Sequence, residues 1–282
     1  MLCTLTFPLV ACGDGEDDGG GSGGEAAMGG SAAGGGGGIG GRNFNQCGVA
    51  APLPAETGQC TAVSSPEITN FDDYDGAPAA SYTYYVNAMP PAADAVLGSI
   101  QHVSDGSDMN GGTSVVATEM VPGEGDAGHA LQISNTSAAN WGGLLMFFFP
   151  GAGSSFCLDA SQYDGLEFSI RGRSPSGRFG VSVGMLDTTP TADGGLCDNA
   201  SSSDCKNAVI ELTLPADAEA WTPVRVPWSS FTPGVGSGGS CVPLTGQNIV
   251  RLVIQPFMSY PPPDFMLEPG AYTLAIDDLR FF

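Results

Sequence analysis

The sequence predicts an all-β fold, a sandwich of two sheets. Helical periodicity is nearly absent beyond residue 42, and short runs rich in Val, Ile, Phe and Leu recur instead. Each run ends in Gly, Pro, Asp or Ser, which are residues that favour turns. Many short alternating strands joined by turns are typical of a β-sandwich. We predict nine strands, at 113–121, 129–134, 141–149, 165–171, 178–186, 207–214, 222–227, 249–255 and 271–282.

Two of these strands alternate strictly between apolar and polar or small residues. Successive side chains of a strand point to opposite faces, so the apolar set of each strand shares one face. The run LLMFFF in 141–149 has no polar face, and we therefore expect it in the middle of the sandwich, covered on both sides. The residues predicted to face the core in the two alternating strands are Leu166, Phe168, Ile170, Phe179, Val181, Val183 and Met185.

The amino terminus has the features of an export signal. Its apolar run, 2–11, is much shorter than the about 20 residues that span a bilayer. Leu9–Cys12 reads LVAC and resembles the lipobox of bacterial lipoproteins, in which the signal is cut before the cysteine and the cysteine carries lipid. We predict a signal peptide over 1–12, a lipid on Cys12, and a lipid-anchored protein of the bacterial cell envelope, at the outer membrane or cell surface. The alternative is a secreted protein with a free cysteine.

Three further segments follow the signal. Residues 13–45 are dominated by glycine, serine, alanine and acidic residues, and such a segment buries too little apolar surface to offset its ordering entropy. We predict that it is a disordered tether. Residues 46–65 form a short cysteine-stapled segment, and residues 66–282 form the sandwich.

The charge balance restricts the partners. The net charge is −22, with one lysine, Lys206, and seven arginines. A chain this acidic repels phosphate backbones and anionic membrane surfaces. Nucleic acid is excluded as a partner, and membrane contact is expected through the lipid anchor only.

Six cysteines remain after Cys3 in the signal and the lipid-bearing Cys12 are set aside. Six cysteines in an exported chain predict three disulfides, although sequence alone allows fifteen pairings. We predict two local bridges across short loops and one long-range bridge between the remaining two. Zinc is the alternative, but no Cys-x-x-Cys occurs. The predicted pairs are Cys47–Cys60, Cys197–Cys205 and Cys157–Cys241.

Four pieces of sequence together resemble a known family. The pieces are ITNFDD, LDASQYDGLEFSIRG, WTPVRVPWSSF and YTLAIDDLRFF, in this order. They resemble the galactose-binding-like jelly rolls, and family-11 carbohydrate-binding modules above all. The resemblance covers about residues 66–282 and implies a jelly-roll β-sandwich. It also implies that Trp221 and Trp228 pack in the core. The fold does not identify the ligand, because proteins with this fold bind many different ligands.

Two motif matches are weak. Gly180–Gly184 reads GVSVG and fits a nucleophile elbow, but it lies inside a predicted strand and both histidines, His102 and His129, precede it. We interpret it as a strand with glycines on its open face. Residues 123–128 fit a dinucleotide fingerprint but run into a strand, so we interpret them as a turn.

The closing strand contains a candidate metal ligand. A carboxylate at Asp277, between Ile276 and Leu279, is costly to bury alone. The family resemblance implies a structural calcium ion held by Asp277 and by Asp72 or Asp73. In the alternative, Asp277 pairs with Arg280 or caps a loop, with no metal.

Ligand-binding candidates combine aromatic rings, which stack on sugars, with polar groups that bind hydroxyls. If Arg171 and Arg251 are to act together, their strands must lie in one sheet. Arg171, Glu211, Arg251 and Gln255 are the polar candidates, and Tyr82, Tyr84, Tyr85, Trp141 and Tyr260 the aromatic ones.

Three functions are compatible with the sequence. The first is a non-catalytic surface domain that binds carbohydrate, a polysaccharide or cell-surface glycan. The second is a structural or adhesive coat lipoprotein with the same fold and no sugar site. The third, a glycosidase, is disfavoured because the sequence shows no histidine cluster and no plausible nucleophile.

Overall fold

The computed structural model describes most of the predicted sandwich. All described residues belong to Gly41–Phe282, one of the two compact units into which the chain divides. The predicted signal peptide, Cys12 and the predicted tether lie outside them. Within the described part, no helix has the length and apolarity needed to cross a membrane. The described residues are 60–72, 99–103, 116–126, 128–138, 143–149, 157–198, 205–256, 258–259, 266–267 and 270–282.

Strands and short 3-10 turns make up the regular structure of the described residues. The strands are β1 Thr61–Ala62, β2 Glu67–Thr69, β3 Ser99–Val103, β4 Val116–Pro122, β5 His129–Ala138, β6 Leu144–Phe148, β7 Leu158–Asp159, β8 Gly165–Arg173, β9 Arg178–Met185, β10 Ala208–Thr213, β11 Thr222–Pro227, β12 Gly234–Val235, β13 Cys241–Val242, β14 Ile249–Gln255, β15 Met258–Ser259, β16 Met266–Leu267 and β17 Gly270–Phe281.

Two large sheets contain the long strands. Sheet A has the central order β3-β6-β14-β9-β10, all antiparallel, and β7 pairs with the start of β14 while β1 pairs in parallel with β7. Sheet B has the order β4-β5-β17-β8-β11, also antiparallel, with β2 beside the end of β17. The strands β12 and β13 form one small ribbon, and β15 and β16 form another.

The inner faces of the two sheets form one apolar core. Phe168 of sheet B meets Phe179 of sheet A edge to face, with ring centroids 6.3 Å apart. Phe147 of sheet A likewise contacts Phe71. All seven residues predicted to face inward are at most 3% exposed. The all-β jelly-roll sandwich that the sequence predicts is therefore confirmed.

One polar group joins the two sheets inside this core. His102 of β3 is 1% exposed. Its Nδ1 lies 2.8 Å from the hydroxyl of Thr118 on β4, and its Nε2 lies 2.9 Å from the hydroxyl of Tyr272 on β17. Burial lowers the pKa of His102 to about 4, although a hydrogen bond with the Ala117 backbone acts in the opposite direction. The ring therefore stays neutral at physiological pH and connects sheet A to sheet B.

All nine predicted strands are present, with shifts at their ends. The expectation for the LLMFFF run is only half correct. Leu145 and Phe147 of β6 are fully buried, but the alternate residues Leu144, Met146 and Phe148 are half-buried. The outer face of β6 is thus an apolar surface with partial cover, and it adjoins the outer face of β14.

The disulfides differ from the predicted pairs. Cys197–Cys205 is confirmed. Cys60 pairs with Cys157 across 97 residues. The predictions Cys47–Cys60 and Cys157–Cys241 are therefore wrong. The physical reason is topological: β1 lies in parallel beside β7, which places Cys60 next to Cys157 with a Cα–Cα distance of 4.8 Å. Cys241 is also disulfide-bonded.

Candidate functional site

Three of the four predicted polar ligand residues share the outer face of sheet A. Glu211 lies on β10, and Arg251 and Gln255 lie on β14. β9 runs between these two strands. The predicted residues Tyr82, Tyr84, Tyr85, Trp141 and Tyr260 lie outside the described residues.

The floor between these polar residues is made of glycine and serine. Gly180 on β9 is directly opposite Glu211 on one side and Gln255 on the other. Neighbouring strands are about 4.8 Å apart, so the Cα atoms of Glu211 and Gln255 are about 10 Å apart. Because Gly180 has no side chain, these two side chains stand on either side of a row of small, buried residues on β9, Gly180, Ser182 and Gly184. We call this row the furrow.

Arg251 lies across the far end of this furrow. A β-carbon on Gly184 would come within 2.8 Å of Cγ and 3.1 Å of Nε of Arg251. Glycine at this position therefore makes room for the arginine side chain, which is 19% exposed. Its Nε is buried and has no hydrogen-bond partner among the described residues. The exposed part of the guanidinium, and not the buried Nε, is what a ligand could reach.

An aromatic ring stands beside Arg251. Phe148 of β6 is directly opposite Arg251 in the sheet, and Met146 is opposite Val253. Sequence reasoning missed Phe148 as a site residue because the three consecutive phenylalanines were all assigned to buried packing. The alternation of side chains along the strand could have identified Phe148. Because Phe147 is in the core, its two neighbours must face outward.

The charges on this face are paired. Nη1 of Arg178 lies 2.5 Å from Oε1 of Glu211. Nη1 of Arg251 is 3.9 Å from Oδ2 of Asp193, a longer and weaker contact. Burial lowers the pKa of Arg251 and the nearby Asp193 carboxylate raises it, in that order of importance. The face therefore carries both hydrogen-bond donors and acceptors and little net charge.

Arg171 lies on the other sheet. It belongs to β8 of sheet B and points outward, with its guanidinium carbon 4.6 Å from the centre of the Trp221 ring. The hypothesis that Arg171 and Arg251 act together is wrong, because strand adjacency puts them on opposite outer faces of the sandwich. Trp221 is also misassigned: it is half-buried beneath Arg171, whereas Trp228 is in the core at 6% exposure.

Asp277 is buried and satisfied by the backbone. Its carboxylate accepts the N–H of Glu124 and the N–H of Asp278, each at 2.8 Å. Burial is the main cause that raises the pKa of Asp277. The two backbone hydrogen bonds lower this pKa, and the charges of Asp278 and Asp72 raise it further. Asp278 has a φ of 49° at a break in the β17 register, which turns this segment toward the Glu124 turn. Asp277 therefore caps a turn, the alternative considered from sequence.

The donor set for calcium is incomplete among the described residues. Oδ1 of Asp72 accepts the N–H of His129 at 2.9 Å, and Asp73 lies outside the described part. No group of three acidic, histidine or cysteine side chains in the described ranges is arranged to hold a metal ion. Calcium takes six to eight oxygens, so these residues alone do not form a site, and calcium binding stays a prediction.

Both motif interpretations agree with the structure. Ser182 lies in the middle of β9 with glycines on its outer face, so GVSVG is a strand segment. Residues Glu124–Asp126 form a 3-10 turn between β4 and β5, as expected.

Comparison with known proteins gives likenesses of fold. No protein family and no curated protein sequence matches the chain. A family 11 carbohydrate-binding module of a cellulosomal cellulase of Clostridium thermocellum is 14% identical, covering 65% of this chain and 86% of that one at a TM-score of 0.41. A family 30 carbohydrate-binding module is 16% identical over 61% and 84% of the two chains, with a TM-score of 0.35. An exo-β-agarase is 10% identical over 77% and 25%, with a TM-score of 0.38. These likenesses assign neither a family nor a ligand to the chain.

Proposed function

We propose that the protein is a non-catalytic carbohydrate-binding domain whose site is the outer face of sheet A. The observation that carries the proposal is the furrow over Gly180, Ser182 and Gly184, bordered by Glu211 and Gln255. Each border residue is half-buried and projects beside a recessed floor.

The chemistry of this face suits a neutral sugar. A carboxylate accepts hydrogen bonds from sugar hydroxyl groups, a guanidinium donates hydrogen bonds to hydroxyl oxygens, and an amide does both. Glu211, Arg251 and Gln255 supply these three groups. The half-buried ring of Phe148 offers an apolar surface against which the C–H face of a sugar packs. The ion pairs with Arg178 and Asp193 hold the polar groups in place and leave no strong charge to select an ionic ligand.

Glycan-array binding tests this proposal. The full-length chain should bind a set of neutral polysaccharides. Glu211→Gln or Arg251→Gln should weaken that binding by about 1–3 kcal/mol, the cost of leaving a buried polar group without its hydrogen bond. Glu119→Gln is the matched control, because Glu119 is an exposed carboxylate on the outer face of sheet B. The proposal fails if no glycan binds or if the control weakens binding as much as the site variants do.

The same proposal includes a lipid anchor on Cys12, with the protein held at the bacterial cell envelope. It is supported by the lipobox-like LVAC and by the glycine-rich segment that follows it. Cys12→Ser should move the protein from the membrane to the soluble fraction and abolish labelling by a fatty-acid probe. Unchanged membrane association of the variant would contradict the anchor.

The second candidate is a structural or adhesive coat protein with the same fold and no sugar site. The location of Arg171 and Arg251 on opposite sheets favours it, because a binding face that used both arginines does not exist. A full-length chain that binds no polysaccharide but assembles on or between cells would establish this alternative.

A further inference from the structure

The outer face of sheet B contains a cavity of about 180 Å³ that the proposed glycan face does not use. Its floor is formed by the neighbouring strands β5, β17 and β8, and one wall comes from the segment between β10 and β11. Pockets for drug-sized ligands begin near 300 Å³, so this cavity suits a single small unit. Its lining residues are Gln132, Arg171, Gly172, Arg173, Ala218, Glu219 and Thr273.

The strand register explains why space is left here. Ala275 of β17 is opposite Gln132 on one side and Arg171 on the other. Its methyl group is covered at 1% exposure and does not line the cavity, so the space lies at the next row. Thr273 is opposite Arg173 in the next outward-facing row and places a hydroxyl at the floor.

The two arginines differ from the other arginines that the structure describes. Arg178 and Arg251 each pair with a carboxylate, and Arg225 and Arg280 share Glu167. Arg171 and Arg173 form no ion pair with any described residue, although the chain carries 30 acidic residues. Two adjacent guanidiniums thus have donors available to an anion from outside.

Arg171 is held in position before any ligand arrives. Its guanidinium lies over the Trp221 ring, a contact worth about 0.5–1 kcal/mol at an exposed site. Its Nη2 is 3.5 Å from the carbonyl oxygen of Pro122, at the outer limit of a hydrogen bond. Pre-positioning lowers the entropy that binding must overcome.

We infer that this cavity binds a hexuronate, the carboxylate-bearing sugar unit of an acidic glycan. Arg171 and Arg173 receive the carboxylate, for which guanidinium groups have matching fork geometry. Glu219, Gln132 and Thr273 accept or donate hydrogen bonds to the sugar hydroxyls. A bare inorganic anion uses only the donors and is repelled by Glu219, so the mixed lining favours a ligand with both an acid and hydroxyl groups.

Calorimetric titration of the full-length chain tests the inference with four probes: D-glucuronate, D-glucose, acetate and L-alanine. Glucuronate should bind at least about tenfold more tightly than each of the other three. Glucose binding equally well would show that the carboxylate is not recognised, and acetate or alanine binding equally well would show that the sugar is not. Each of these results would overturn the inference.

Substitutions test whether glucuronate binds in the cavity. Arg171→Gln and Arg173→Gln should each weaken glucuronate binding about tenfold to a hundredfold, the range for losing a charge-assisted bond. Arg225→Gln is the control, since Arg225 is on the same outer face but outside the cavity. Arg173 has no ring contact or ion pair with the described residues, so its variant should keep the melting temperature even if Arg171→Gln lowers it. Normal glucuronate binding by Arg173→Gln would overturn the assignment.

The hexuronate inference and the proposed glycan site in the furrow of sheet A can be tested separately. Glu211→Gln should leave glucuronate binding unchanged, because Glu211 belongs to the opposite sheet. Loss of glucuronate binding in that variant would place the acidic sugar on sheet A and contradict the cavity assignment.

Discussion

The two outer faces of the sandwich use arginine in different ways. On sheet A, Arg178 and Arg251 pair with carboxylates of the same chain. On sheet B, Arg171 stacks on Trp221 and, like Arg173, has no carboxylate partner among the described residues. Both faces have a strand with short outward side chains: β9, between β14 and β10, has glycine and serine, and β17, between β5 and β8, has alanine and threonine.

The difference shows how one fold can present two kinds of recognition surface. An internally neutralised face selects ligands by hydrogen bonding and shape, so salt affects it little. A face with unpaired guanidiniums attracts anions, and added salt weakens that attraction. The overall charge of −22 does not distinguish them, because recognition depends on local pairing.

The largest expected effect concerns the disulfides, both of which involve segments on the sheet A side. Removing Cys60–Cys157 by double serine substitution should lower the free energy of unfolding by about 4–5 kcal/mol, because it frees a loop of 97 residues. Removing Cys197–Cys205, separated by 8 residues, should cost about 2–3 kcal/mol. Urea unfolding measures both. Equal losses would show that loop entropy does not govern these bridges.

The calcium hypothesis concerns sheet B. Calcium at 100 times its dissociation constant should stabilise the fold by about 2.7 kcal/mol, because it binds only the folded state. Asp277→Asn should abolish the rise in melting temperature. Asp187→Asn is a matched control, since burial also raises the pKa of Asp187. A melting curve that does not respond to a chelator would leave Asp277 as a turn cap alone.

His102 should make the attachment between the sheets sensitive to acid. Its pKa is about 4 in the folded state and 6.5 for the ordinary side chain. The unfolded state therefore binds the proton first, so this contribution to stability is complete above pH 6.5 and is lost as the pH falls toward 4. Between pH 7 and pH 5 the loss should be about 2 kcal/mol.

His102→Leu separates this effect from carboxylate titration. The variant should be less stable at pH 7, because the hydroxyls of Thr118 and Tyr272 each lose a hydrogen bond, yet its stability should fall less between pH 7 and pH 5. Asp277 acts in the opposite direction, since its raised pKa means that protonation favours the folded state. Parallel pH profiles for the variant and the natural chain would contradict a neutral buried imidazole.

The smallest expected effect sharpens the contrast between the faces. Arg178→Gln breaks the pair with Glu211, in which the arginine side chain is 51% exposed. Stability should fall by less than about 1 kcal/mol, as for other surface pairs. Binding of neutral glycans should weaken less than in Glu211→Gln, because the Glu211 carboxylate is still present to accept hydrogen bonds from hydroxyl groups. Equal losses of glycan binding in the two variants would contradict this expectation.

Local patterns in the sequence predicted the strands well. Leu166, Phe168 and Ile170 are buried as their alternation requires, and the inward residues of β9 follow the same rule. Alternation depends only on the pleat of a single strand, so it can be read without knowing the neighbours. The same reasoning located Glu211, Arg251 and Gln255 on outward positions.

Partners across the fold could not be predicted in this way. Cys60 meets Cys157 because β1 aligns with β7, and loop length gave no sign of that pairing. The sequence analysis assigned His102 no structural role, since its two partners lie on β4 and β17.

The sequence by itself determined the fold class, nine of the strands and, in the strands that alternate, the face on which a side chain lies. Tertiary structure alone decided that Arg171 and Arg251 are on opposite sheets and that Gln132, Arg171 and Thr273 line one cavity. The physical reason is that side-chain direction follows from the local pleat with its period of two. Strand adjacency instead depends on pairing segments far apart in the chain, and no local pattern encodes it.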